Sequence, residues 1–258
     1  MEPLKINKLC LFPIIMFLWN SIGMIICFLI ALHKGHASVY VPFISEIGGK
    51  LPESGIFVIV LTFEFLIGAI IVLIRYMVIS KINNGLKKID IVNKIALVIG
   101  FISFCGMLLA AIYSMYSIPI VHYIGARIFF IGQALYGILQ ILLFHWTCKK
   151  FDEIVMFWIR FVMCFLSIIS YISLLIMYPI GSNQWIYDFP EANKIPGNQG
   201  FSLILWSSVC EWLMVNLFLL FMLTFTKEFR QITINVSLTL NGHMDDQNGP
   251  CETRETGC

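Results

Sequence analysis

Glu64, Arg127 and Glu211 have the most chemistry to explain, because each falls inside a long apolar run. A charge in hydrocarbon costs about 3 kcal/mol or more unless it finds a partner or lines a polar cavity. The three lie about 8 to 10 positions into the second, fourth and sixth runs, about 12 to 15 Å deep at the helical rise. Those runs cross in the same direction, so the three charges share one level. The sequence therefore predicts a buried Glu64–Arg127 ion pair, shared with Glu211, that holds three helices in register. Such a cluster serves either as glue between helices or as a site for transport or a lipid headgroup.

Other chemistry is sparse. There is no Gly-rich phosphate loop, His-Glu-x-x-His pair, Cys-x-x-Cys or Gly-x-Ser-x-Gly elbow. His33 and His36 have the spacing of two metal ligands but lack an evident third, so solvated loop histidines are the expectation. Catalytic residues, cofactor and metal site are all expected to be absent. Arg75, beside Tyr76, and Arg160 sit nearer the ends of their runs, where they are expected to snorkel to phosphates.

The elements that must position these residues follow from composition. The 258-residue chain is 59% hydrophobic and 12% charged, with a mean hydropathy of +0.87. Too few charges remain to coat a soluble globule. Each apolar run approaches or exceeds the roughly 20 residues that cross a bilayer as helix. The spans are placed at about 9–32, 55–79, 91–115, 119–146, 154–180 and 201–226. The reading is all-α: a polytopic bundle of six transmembrane helices occupying 1–226, followed by a tail over 227–258 that is disordered after 242. The first run is too long for the core of a cleaved signal peptide and is read as retained.

Lys5, Lys8, Lys81, Lys87, Lys88, Lys94, Lys149, Lys150, Lys227, Arg230 and Arg254 fall at the chain ends and in alternate connectors. Only Lys34, Lys50 and Lys194 fall on the other side. The bias puts both termini in the cytosol, and a net charge of +2 is then a topology signal with no bearing on nucleic acid. None of the eight cysteines lies in a long lumenal connector, so no disulfide framework is expected. Cys10 and Cys148 lie near the cytosolic face, within reach of palmitoylation or simply buried. The sequon Asn235-Val236-Ser237 is cytosolic in this topology and should stay bare.

Between the first two spans lies "PFISEIGGKLPESGIF", Pro42 to Phe57. Its prolines and paired glycines predict a compact turn over the lumenal mouth of the bundle, in which Glu53 caps the second helix. This stretch resembles the "PYISDTG...PPESGIF" signature of the DRAM family, the damage-regulated autophagy modulators, whose superfamily includes GPI-anchor remodelling proteins. Pro42, Ile44, Ser45, Gly48, Pro52, Glu53, Ser54 and Gly55 carry the resemblance. Further matches are "RY" at Arg75 and Tyr76, His122 with Gly125 and Ala126, "CEW" at Cys210 to Trp212, and "LTFTKEF" running into "LTLNG". The chain departs from the family around "AIYSMYS", and in placing charges at Glu64 and Arg127.

The resemblance implies a non-enzymatic lysosomal or endosomal membrane protein that modulates autophagy and stress-linked apoptosis. It would act through membrane lipids and protein partners in autophagy. The superfamily also implies an alternative: a lipid-handling or GPI-remodelling-like enzyme using His122, Glu64 or Glu211 in a cavity. An ion-channel component is a weaker alternative, because the cytosolic halves of the spans look too apolar for a continuous polar path.

Overall fold

The computed structural model describes residues 4–83, 85–147, 151–184 and 196–236. Cys148, Lys149, Lys150, Lys194, most of the polar segment before the sixth span and the tail from 237 lie outside the described residues.

Six helices are long and apolar enough to cross a membrane. In chain order the elements are strand β1 (Leu4–Ile6), α1 (Leu11–Lys34), a single turn α2 (Ile44–Ile47), α3 (Glu53–Ile82), α4 (Lys87–Ile112) and α5 (Pro119–Thr147). They continue with α6 (Phe151–Gln184), α7 (Phe201–Leu223), the short α8 (Thr226–Phe229) and strand β2 (Ile234–Val236). The outward faces carry exposed Ile22, Leu29, Ile59, Leu66 and Ile102, an apolar surface suited to lipid.

Packing runs from α1 to α3, α3 to α4, α4 to α5, and α6 to α7, with α7 returning to α1. In a bilayer, helices associate through close packing and interhelical hydrogen bonds, which favours small residues at the seam. The α4–α5 seam shows this. A Cβ on Gly125 would stand 2.7 Å from the Gly106 carbonyl oxygen and 2.7 Å from the Ala110 nitrogen, so only glycine permits the approach. Ser103 Oγ then donates to the Phe129 carbonyl at 2.9 Å across the same seam.

The third span ends earlier than the apolar run suggests, at Ile112 instead of Met115. Tyr113 turns extended, and Ser114 Oγ accepts the Tyr116 amide at 3.1 Å, a local bond that competes with another helical turn. At the far end of α1, Gly35 adopts the left-handed conformation with φ 69°, and His36 donates its amide to the Ala31 carbonyl at 2.8 Å. This reversal carries the chain back over the bundle.

β1 and β2 pair antiparallel, Lys5 opposite Asn235, so both described chain ends lie together at the end of the bundle opposite α2.

Candidate functional site

Polar side chains gather at the two ends of the bundle. At the first, residues 42–52 fold as a plug whose α2 turn leans on α1 and α7. Glu46 Oε2 accepts the Phe43 amide at 2.9 Å and so closes the turn on itself. Three bonds fasten it: the Ile44 amide donates to Glu211 Oε2 at 2.8 Å, Trp212 Nε1 donates to the Pro42 carbonyl at 2.8 Å, and Ser114 Oγ donates to the Gly49 carbonyl at 2.8 Å. Gly48 lies under the Phe57 ring and Gly49 under the Tyr116 ring, where any side chain would collide. The compact turn over the bundle mouth is therefore present, held by Glu211 and Trp212 of "CEW" on α7 together with Ser114. Tyr116 is kept above the usual phenol range by burial first, with Glu46 and Glu53 adding to it.

Glu53 corrects an expectation. It opens α3, but Pro52 occupies the cap position and no side chain caps the helix. The Glu53 carboxylate is wholly buried and meets His36 Nδ1 at 2.5 Å. His36 is thus not a solvated loop histidine, and no cluster of metal-ligating side chains occurs among the described residues.

The predicted Glu64–Arg127 pair does not form. Glu64 is buried and accepts a hydrogen bond from Asn20 Nδ2 on α1. Arg127 is exposed, and no carboxylate among the described residues pairs with it. Helix rotation explains the failure: Gly125 and Phe129 are buried, and Arg127 lies two positions from each, about 200° round α5. Equal depth fixed the height of the charge but not the direction it faces.

Glu64, Arg127, Glu211 and His122 nevertheless border two adjoining cavities. Asn20, Glu64, His122 and Glu211 line a cavity of about 60 Å³ beneath the plug. Arg127, His122, Tyr171, Tyr178 and Glu211 line one of about 300 Å³ between α5, α6 and the plug. Ser45 of the plug belongs to both walls. His122 Nδ1 lies 2.9 Å from the Ala110 carbonyl and 3.0 Å from that of Tyr113. Both are acceptors, so Nδ1 carries the proton and His122 caps the end of α4. Deeper in the bundle, Phe104, Phe129 and Phe218 meet edge to face, an apolar layer between the two polar ends.

The opposite end holds the second cluster. Arg75 and Arg160 were expected to snorkel; instead both are buried and converge on Glu228 of α8. Arg160 Nη2 lies 2.7 Å from Glu228 Oε1, and Arg75 Nη1 contacts Oε2. Arg75 Nε also donates to Gln140 Oε1 at 2.9 Å, and Arg160 Nε to Thr224 Oγ1 at 2.8 Å. The two guanidinium groups stack over Phe225 at 4.9 and 4.7 Å. Buried guanidinium groups need a carboxylate, and the one acid just beyond the last apolar run supplies it. That acid, inside "LTFTKEF", was a readable signal; so was Asn20, a polar residue in the middle of the first run.

Residues 8–232 match the family described as the Frag1/DRAM/Sfk1/Cwh43P N-terminal domain. DNA damage-regulated autophagy modulator protein 1 of Xenopus laevis is 29% identical over 230 residues, covering 89% of this chain and 94% of that protein. The Homo sapiens protein of the same name is 27% identical over 231 residues, with the same coverage. DNA damage-regulated autophagy modulator protein 2 of Rattus norvegicus is 27% identical over 244 residues, covering 93% of this chain and 90% of its own length. No solved structure matches the chain.

Proposed function

The chain belongs to the Frag1/DRAM/Sfk1/Cwh43P family, and from that membership we propose that it is a non-enzymatic modulator of autophagy in the lysosomal or endosomal membrane, coupling stress to apoptosis through lipid or protein partners. One observation carries the reading. Relatives named DNA damage-regulated autophagy modulators align over 89% or more of the chain, and the family match over residues 8–232 takes in all six long helices, the plug and the arginine cluster.

The relatives' names, which are those of modulators, support a modulator over a GPI-remodelling enzyme. The phenylalanine layer opposes a channel. Lys5, Lys8, Lys81, Lys87, Lys227 and Arg230 cluster near the paired strands, which supports a cytosolic position for that end and a lumenal one for the plug.

The test is autophagic flux in cells lacking the protein, with and without lysosomal inhibition, after rescue by the wild type. Deletion should lower flux and rescue should restore it, with the tagged protein fractionating with lysosomal or endosomal markers; unchanged flux sinks the proposal. The topology has its own check, because a glycan found on Asn235 would put the paired strands in the lumen.

A further inference from the structure

We propose that the cavity between α5, α6 and the plug seats one zwitterionic glycerophospholipid, with its phosphodiester on Arg127. This inference does not depend on the autophagy reading. It rests on a cation without an anionic partner among the described residues, about 12 Å into its span.

Arg127 lies eight residues along α5 from Pro119, about 12 Å into the span. No described carboxylate pairs with it, and the phenol of Tyr171 on α6 lies within its electrostatic reach. A charged side chain at that depth faces a cavity and is compensated there. The cavity is about 300 Å³, the lower end of the range for small-molecule sites, and its scale is that of a headgroup with the start of its chains.

Its lining mixes two chemistries. Arg127 and the phenols of Tyr123, Tyr171 and Tyr178 supply polar groups, and Leu174 and Leu175, between the last two tyrosines along α6, supply apolar surface. The Tyr123 and Tyr178 hydroxyls lie 3.4 Å apart, so the two phenols stand side by side on the cavity wall. A planar guanidinium with flanking hydroxyls is the donor set that recognises a phosphodiester. Glu211 borders the same cavity with its carboxylate already on the Ile44 amide, and a headgroup that carries an ammonium beside its phosphate brings no net negative charge next to it. The apolar wall and the depth choose a lipid over a free phosphate ester.

The experiment is native mass spectrometry of the full chain in detergent, titrated with dioleoylphosphatidylcholine, dioleoylglycerol or soluble glycerophosphocholine. The wild type should take up one phosphatidylcholine in preference to both other probes. Arg127→Gln should weaken that adduct at least about tenfold, the loss of one charge-assisted contact, while leaving dioleoylglycerol uptake unchanged. Leu174→Trp, which fills the apolar side and keeps the arginine, should weaken it as well, and it stands in for Arg127→Gln if that variant does not fold. Equal uptake of phosphatidylcholine by wild type and variants overturns the proposal, as does equal uptake of dioleoylglycerol. Full displacement by glycerophosphocholine also overturns it, by assigning the site to a soluble phosphodiester.

Discussion

The two ends of the bundle treat charge in opposite ways. Near the plug, Glu64, Arg127 and Glu211 stand apart around two cavities. At the other end, Arg75 and Arg160 close on Glu228, with Phe225 packed between them. The difference lies in what carries the charges. Glu64, Arg127 and Glu211 sit on long helices whose rotation is set by the seams they pack, so none can turn to meet another. Glu228 sits on the four-residue α8, in the last turn of the sixth membrane-length stretch, Phe201–Phe229, at the end of the bundle where both guanidinium groups converge. A bundle can therefore satisfy an awkward charge at the end of a span more readily than along its length.

The contrast breaks first at Glu228. Glu228→Ala leaves two buried guanidinium groups without their carboxylate and should lower stability by about 3–5 kcal/mol, read as loss of the monodisperse peak on heating in detergent. An unchanged melting temperature would mean that the arginines do not depend on α8. The plug end should be gentler. Glu211→Ala removes the charged acceptor of the Ile44 amide and should cost about 2 kcal/mol, with faster hydrogen exchange confined to residues 42–50. If exchange rises across α7 instead, Glu211 supports the helix and not the plug.

Two double-mutant cycles sharpen the comparison. Asn20→Leu with Glu64→Gln should show coupling of about 1 kcal/mol, because the two side chains share a buried hydrogen bond. Exchanging Glu64 and Arg127 should show coupling below about 0.5 kcal/mol, as for residues that do not touch. Rescue of the single exchanges by the double one would restore the ion pair that the helix rotation argues against.

Much of the architecture was legible in the sequence because bilayer thickness sets helix length, and Pro and Gly punctuate the plug. The fasteners of the plug were not, since Trp212 and Ser114 act through backbone carbonyls that no side-chain pattern announces. Depth predicted the level of Arg127, but facing required the burial of Gly125 and Phe129 on either side of it. Glu53 misled for a related reason: its place at the first helical position suits a cap, yet the left-handed Gly35 brings His36 within reach and takes the carboxylate away. The arginine cluster escaped notice because its acid lies past the last apolar run, where charge is ordinary.

The pairing of Leu4–Ile6 with Ile234–Val236 has a consequence for biosynthesis. The first strand is made before the six long helices, and its partner only after them. While those helices are synthesised the first strand waits as an unpaired edge, and the contact of α1 with α7 must form after both have been made.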